Sequence, residues 1–214
     1  MAKLTHKFFQ QPTLNMAQEL LGCRFVHKRG NELISGFIVE TEAYLPREDP
    51  ACHSARGETP RNRVMFGPAG CLYIYSIHNR YCVNIVSETT GIGAAVLIRA
   101  LEPIVGLASM SLLRPVSKPH ELTNGPGKLC QAFGLDLRFN GENLIQGKNL
   151  WLESKPNSVE FAIRRTTRIG ISQGKDLPYR FFVDGNPFVS GLAMDHSITR
   201  DRYLGSIYQR VQSQ

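Results

Sequence analysis

CRFVHKRGNELISGFIVETEAYL, residues 23–45, decides how the rest of the chain is read. Both halves are rich in β-branched and aromatic residues. Arg29, Gly30 and Asn31 between them are a turn signal, so the stretch predicts two strands joined in a hairpin. The second strand ends in IVETEAYL (38–45). Strand side chains repeat every two residues, which puts Glu40, Glu42 and Tyr44 on one face. Two carboxylates and an aromatic ring suit neither a core nor a water-facing surface. That face is the first candidate for a site.

A second hairpin follows the same logic. CLYIYSIHNRYCVNIV (71–86) leads to a polar, basic tip at His78, Asn79 and Arg80, with Tyr73 and Tyr75 on a shared face. AAVLIRAL (94–101) has the pattern of a buried strand, interrupted by Arg99. A buried guanidinium needs acceptors, because an unpaired buried charge is very costly. Glu40 and Glu42 are the obvious candidates, as a plain core ion pair or as a polar site held inside the fold. Helical spacing marks PTLNMAQELLG (12–22), which Gly22 closes. EPIVGLASMSLL (102–113) predicts a helix with Pro103 in its first turn, and NGPGKLCQAFGL (124–135) one with Pro126 near its start. LWLE, AIRRTTRIGI and YRFFVDGNPFVS supply later strands, the last bending at DGNP. Many strands, few helices and no regular βα alternation give an α+β class. No repeat of 20–50 residues is present, which excludes a solenoid.

Between Tyr44 and the second hairpin lies LPREDPACHSARGETPRNRVMFGPAG (45–70). A loop of about 26 residues inside a compact domain is usually functional or disordered. It carries His53, Arg56, Arg61 and Arg63. Segment 113–128 reads as an ordinary surface connection.

Lysine and arginine exceed aspartate and glutamate by 25 − 18 = +7, and the pI is near 9.3. Such a balance leans toward polyanions, although a merely basic surface accounts for it equally well. Apolar residues make up 42%, ordinary for a globular chain. The 5 cysteines are dispersed and form no C-x-x-C, against a disulfide framework or a structural zinc site. No secretory signal opens the chain and no run is long enough to span a membrane, so a reducing, soluble compartment is expected. No P-loop, G-x-G-x-x-G, G-x-S-x-G or H-E-x-x-H occurs, so no nucleotide cofactor and no catalytic metal are expected.

The flat rings of Tyr44, His53, Tyr73 and Tyr75 would suit a slot in which a nucleobase stacks, although strand tyrosines more often simply pack. A ribbon with a basic tip fits a nucleic-acid groove, where a tip residue wedges between bases; a solvated turn is the commoner case. Arg56, Arg61, Arg63, Arg164, Arg165 and Arg168 are candidate phosphate contacts.

Five blocks in fixed order carry a resemblance: VETEAYL…ACHS, TPRNRVMFGPAGCLYIY, VLIRALEP, NGPGKLCQAFGL and RFFVDGNPFVS. Together they resemble the alkyladenine (3-methyladenine) DNA glycosylases of the mammalian type, also found in bacteria, over roughly residues 10–190. The resemblance implies one mixed domain over 1–214: an antiparallel-rich curved sheet, peripheral helices and a protruding hairpin. The tail 191–214 carries no motif. It further implies a monomer that binds duplex DNA through the minor groove, flips an alkylated or deaminated purine into a pocket and hydrolyses its N-glycosidic bond. The lesions would be of the 3-methyladenine, hypoxanthine or ethenoadenine type. No cofactor, metal, membrane or obligate protein partner is implied. The place of action would be the bacterial nucleoid or the eukaryotic nucleus.

Carried over by position, Glu42 is the general base and Arg99 helps to place its water. Tyr44, His53 and Tyr75 enclose the base, backbone near Ala51 and His53 reads its edge, and Asn84 disfavours guanine. Thr59, Arg61 and Lys128 look like backbone contacts. At the hairpin tip the family's tyrosine wedge is replaced by His78, followed by Asn79 and Arg80, in a hairpin one residue shorter. An imidazole has less stacking area, so wedging would pass partly to Arg80 or Tyr81. The pocket motifs contain no lysine, which implies a monofunctional enzyme that leaves an abasic site. Two rival readings remain. One is a damage-binding protein without catalysis. The other is a nucleoside or sugar glycosidase that uses Glu40 and Glu42 as a carboxylate pair about 6.6 Å apart.

Overall fold

The computed structural model describes residues 1–157 and 159–191; the motif-free tail lies outside them from residue 192 onward. Two short helices, α1 (His6–Phe9) and α2 (Thr13–Glu19), precede the first hairpin. That hairpin forms as the sequence predicts, from β1 (Arg24–Arg29) and β2 (Glu32–Tyr44). Gly30 makes the turn with a φ of 61°, the left-handed region that glycine enters without steric cost. The second hairpin pairs β3 (Leu72–Ile77) with β4 (Arg80–Ser87). Its turn is only His78 and Asn79, both with positive φ (47° and 59°), as a tight two-residue hairpin requires. Arg80 belongs to the strand.

β5 (Ala94–Val105) completes the core of the sheet, and β6 (Leu150–Glu153), β7 (Ile163–Thr166) and β8 (Arg180–Val183) extend it. The order is β3-β4-β5-β2-β1-β6, curled and antiparallel. β2 is 13 residues long, and one of its edges serves two neighbours. β1 takes the first half up to Phe37, and β8 takes Glu40, Thr41 and Glu42. β5 runs along the other edge. β2 is therefore central, and residues 34–43 are all buried. Thr41 donates its hydroxyl to the Ala17 carbonyl of α2 at 2.7 Å. Its neighbours Glu40 and Glu42 point to the opposite face, as the period of two requires.

One expectation is overturned. Residues 102–113 are not a single helix. β5 runs on through Pro103 to Val105, and α3 (Leu107–Leu113) starts only after Gly106. Proline lacks the ladder N–H and enters sheets at edges or bulges. Pro103 pairs with Gly36 where the β2–β5 register shifts. A Cβ on Gly36 would sit 2.8 Å from the Glu102 carbonyl, so the two backbones meet closely at this bulge. The next helix, α4 (Pro126–Phe133), matches its prediction, with Pro126 in the first turn and Gly134 in the left-handed stop.

The long loop 45–70 is ordered from inside. The Asn62 side chain is 2% exposed and donates to the carbonyls of His53 and Gly57 at 2.8 and 3.0 Å. Its Oδ1 accepts the Thr59 N–H at 2.6 Å. All 5 cysteines are free and buried.

His27 on β1 sets a pH dependence. It is buried, with Nδ1 2.8 Å from the Phe133 carbonyl. Burial holds its pKa below the ordinary value, assisted by Arg29. The folded state then binds fewer protons than the unfolded chain, so this contribution to stability is present above about pH 6.5 and is lost as pH falls through the lowered pKa. The melting temperature is expected to drop between pH 7 and 5, with a shallower drop in His27→Gln.

Candidate active site

Tyr44 from β2, Tyr73 and Tyr75 from β3, Asn84 from β4 and Arg99 from β5 converge on one cavity of about 330 Å³. The loop adds Ala51, His53, Arg61 and Met65; Ile77, Cys82 and Leu97 of the strands, Pro126 of α4 and residues 169–171 complete the wall. Such a volume lies at the lower end of small-ligand pockets, about 300–1,000 Å³. The curl of the sheet brings these strands to face the loop. The structure thus assembles Tyr44, Ala51, His53, Tyr75, Asn84 and Arg99, separated by up to 55 residues in sequence, as 99 − 44 = 55.

The rings form a cluster. His53 lies against Tyr75 edge-on at 4.5 Å between centroids, and Tyr73 and Tyr75 are 5.7 Å apart. His53 Nδ1 lies 2.8 Å from the Tyr73 hydroxyl. Partial burial, then Arg61, lowers the His53 pKa, and burial pushes Tyr73 up to about 12. At neutral pH a protonated phenol and an uncharged imidazole therefore share one hydrogen bond, whose direction the imidazole tautomer sets. Burial also raises Tyr75 and Tyr44, with Glu42 the next cause for Tyr44. Asn84 is anchored by its amide donating to the Tyr73 carbonyl at 3.0 Å. Arg61 stands over the Tyr75 ring at 5.9 Å and lines the cavity mouth.

The two glutamates diverge. Both are completely buried. Glu42 Oε1 accepts the Ile169 N–H at 2.8 Å and meets Arg99 Nη1 at 3.2 Å; Oε2 accepts the Tyr44 hydroxyl at 2.8 Å. Tyr44, Arg99 and Ile169 are themselves cavity walls, so Glu42 sits directly behind the lining. Glu40 is further from the cavity. It accepts from Arg99 Nε at 3.0 Å, Arg180 Nε at 2.7 Å, and the backbone N–H and hydroxyl of Ser190 at 2.7 and 2.9 Å. Burial opposes the charge of Arg99, but Glu42 and Glu40 outweigh it and raise its pKa. Two carboxylates and two guanidiniums make this buried cluster neutral overall.

The remaining predicted residues lie outside the cavity, and one of them is a correction. Arg168 is no phosphate contact: it is buried in an ion pair with Asp49. Arg56, Arg164 and Arg165 are exposed, and Arg63 is exposed beside Glu58 at 3.4 Å. Thr59 is exposed at the start of the Asn62 turn. Lys128 Nζ donates to Asn124 Oδ1 at 2.8 Å. At the hairpin tip, His78 and Asn79 are exposed; Tyr81 instead packs on the core and does not project. The stem of Arg80 lies against Gly127 of α4. Ile77, 49% exposed, is the large apolar side chain beside the tip and lines the cavity.

A wider cleft of about 860 Å³ borders the hairpin tip and α4. The acid among its lining residues, Asp136, is engaged by Arg138 at 2.7 Å; of its rings, His27 and Phe139 pack edge-on against each other at 5.1 Å, with no buried carboxylate behind them among the described residues. Paired charge behind enclosed rings makes the smaller cavity the candidate active site. Sequence reasoning missed Asp49, Asn62, Arg180 and Ile169. Asp49 and Asn62 lie in a loop without periodicity, and no spacing signal links Asp49 to Arg168 or Ile169 to Glu42.

Comparison with known proteins gives the family. Residues 7–187 match the family described as methylpurine-DNA glycosylase (MPG). Three relatives are each provisionally named a 3-methyladenine DNA glycosylase. That of Methanoculleus marisnigri is 49% identical over 187 residues, covering 86% of this chain and 96% of that protein. That of Carboxydothermus hydrogenoformans is 46% identical over 188 residues, 87% and 98%. That of Rhodopirellula baltica is 45% identical over 198 residues, 90% and 85%.

Proposed function

The chain belongs to the methylpurine-DNA glycosylase family, and from that premise we propose that it flips a damaged purine out of duplex DNA and hydrolyses its N-glycosidic bond with a water activated by Glu42. The observation that carries the reading is the Glu42 carboxylate held behind a ring-lined cavity. Three of its roughly four acceptor positions are occupied by Arg99, Ile169 and Tyr44. The one left, on Oε2, is the place for a water. Alkylation makes the purine a better leaving group. The protein then needs to aim that water and to stabilise an oxocarbenium-like state, and one carboxylate serves both. Arg99, 3.2 Å from Oε1, orients Glu42. The rings of Tyr44, His53 and Tyr75 supply flat faces for the base.

Asn84, pinned by the Tyr73 carbonyl, crowds the position of a guanine amino group. No lysine lines the cavity among the described residues, which supports a monofunctional enzyme and an abasic product. Exposed Arg56, Arg61, Arg164 and Arg165 are the candidates to meet backbone phosphates, and His78 or its apolar neighbour Ile77 to enter the gap left by the base. The glycosidase rival loses support, because Glu40 is engaged by Arg99, Arg180 and Ser190.

The deciding test is incubation with a duplex bearing hypoxanthine or ethenoadenine, followed by alkali. Strand cleavage at the lesion is the expected result. No cleavage with either lesion, or with 3-methyladenine DNA, rejects the enzyme reading. Affinity for the duplex is also expected to weaken steeply with salt, and Arg61→Gln to reduce the slope of log K against log salt by about 1. Flat affinity between low and moderate salt would contradict the phosphate contacts.

A further inference from the structure

The buried pair of Asp49 and Arg168 has no role in the mechanism above, yet it touches three parts of the cavity wall. Both side chains are fully shielded from solvent. The guanidinium forks onto the carboxylate, Nη1 to Oδ2 and Nη2 to Oδ1. That bidentate geometry fixes orientation as well as charge. Nη1 also donates to the Ala43 carbonyl at 3.0 Å, and the guanidinium lies over the Tyr44 ring at 4.6 Å. On the other side Asp49 Oδ1 accepts the Ala51 N–H at 3.1 Å, within the turn that presents Ala51 and His53. The residue after Arg168 is Ile169, whose N–H holds Glu42.

Stability alone gives this pair little reason to exist. Replacing a buried ion pair by apolar residues is often neutral or stabilising. Arg168 Nε is moreover buried without an acceptor among the described residues, a further cost. What the pair provides is position. It ties the loop wall, the Tyr44 ring and the Ile169 N–H to one rigid fork.

We propose that Asp49 and Arg168 act as a single positioning unit that fixes the Tyr44 ring and the Ile169 N–H, and through them the aim of Glu42. The proposal rests on the reading of Glu42 given above. Neither residue lines the cavity, so both act through others.

The test is a double-mutant cycle on the full chain with Asp49→Asn, Arg168→Lys and both together. Each variant is measured for thermal melting, affinity for an ethenoadenine duplex and single-turnover base release with enzyme in excess. All are expected to melt cooperatively and to bind within about threefold of the wild type. Release is expected to slow by about tenfold or more in each single variant, with the double variant no slower than the slower single one, as for residues that act as a unit. Unchanged release in variants that melt normally overturns the proposal. So do losses that multiply in the double variant, or affinity that falls in step with rate. If Arg168→Lys does not fold, Asp49→Asn decides by the same split between rate and affinity. A wild type inactive on every lesion duplex refutes the parent reading; an active wild type with unaffected variants refutes this one alone.

Discussion

Glu42→Gln is expected to keep a lesion-bearing duplex bound while releasing the base about 10²–10⁴-fold more slowly. The substitution keeps the shape of the side chain and removes its basicity. Its surroundings tell how the amide settles. On the Oε1 side stand two donors, the Ile169 N–H and Arg99 Nη1, so the amide oxygen belongs there. The NH₂ then faces the Tyr44 hydroxyl, which can accept as well as donate. The Tyr44 O–H can then turn toward the cavity that this residue lines, so the substituted side chain fits and the variant is expected to fold. The position on Oε2 that would receive a water proton becomes an amide N–H, which cannot take one. Single-turnover assays on hypoxanthine or ethenoadenine DNA, beside binding titrations, measure the two effects separately. A variant that keeps more than about a tenth of the wild-type rate would leave Glu42 without the role of general base.

How far the sequence foretold this site depends on the kind of contact. Alternation alone put Glu40, Glu42 and Tyr44 on one face, and Arg99 reaches both carboxylates on that face. The period of a strand is a local property, so sequence reveals it. An interrupted apolar run likewise announced a buried charge at Arg99. Burial also explains what stayed hidden. Arg180 sits in an aromatic strand and Arg168 in a basic stretch, yet both are buried against carboxylates more than 100 residues away, as 180 − 40 = 140 and 168 − 49 = 119. Nothing local distinguishes Arg168 from exposed Arg164 and Arg165, four and three positions before it. The Ile169 N–H is beyond reach for the same reason, since backbone donors have no residue type. Pro103 misled because its preference for a first helical turn is local, whereas the bulge that admits it depends on Gly36 of another strand. The separation of Glu40 from Glu42 came from family resemblance at the sequence level. In the structure it follows from their partners.

Those partners make Glu40→Gln the substitution with the largest expected loss of stability, about 3–5 kcal/mol. Glu40 serves two guanidiniums at once, Arg99 at 3.0 Å and Arg180 at 2.7 Å, where no water reaches it. A neutral amide at either position leaves the buried cluster with a net positive charge, but at position 42 Arg99 and Arg180 keep Glu40, whereas at position 40 Arg180 loses the Glu40 carboxylate and Arg99 keeps only Glu42. An uncompensated buried charge is what makes breaking such a pair costly. An amide also brings two N–H donors to a position ringed by donors: Arg99 Nε, Arg180 Nε and the Ser190 N–H. An amide at position 40 cannot present an oxygen to all of them, whereas one at position 42 can turn its NH₂ toward a hydroxyl. Urea denaturation of the two variants at neutral pH should therefore rank Glu40→Gln well below Glu42→Gln in stability, and the ranking of their activities should be the reverse. Folded Glu40→Gln, selected at low temperature, is expected to release base within about tenfold of the wild-type rate, since Arg99 keeps Glu42 as a partner. Should folded Glu40→Gln be inactive while Glu42→Gln works, the two carboxylates have exchanged roles, and the water belongs one pleat further back along β2.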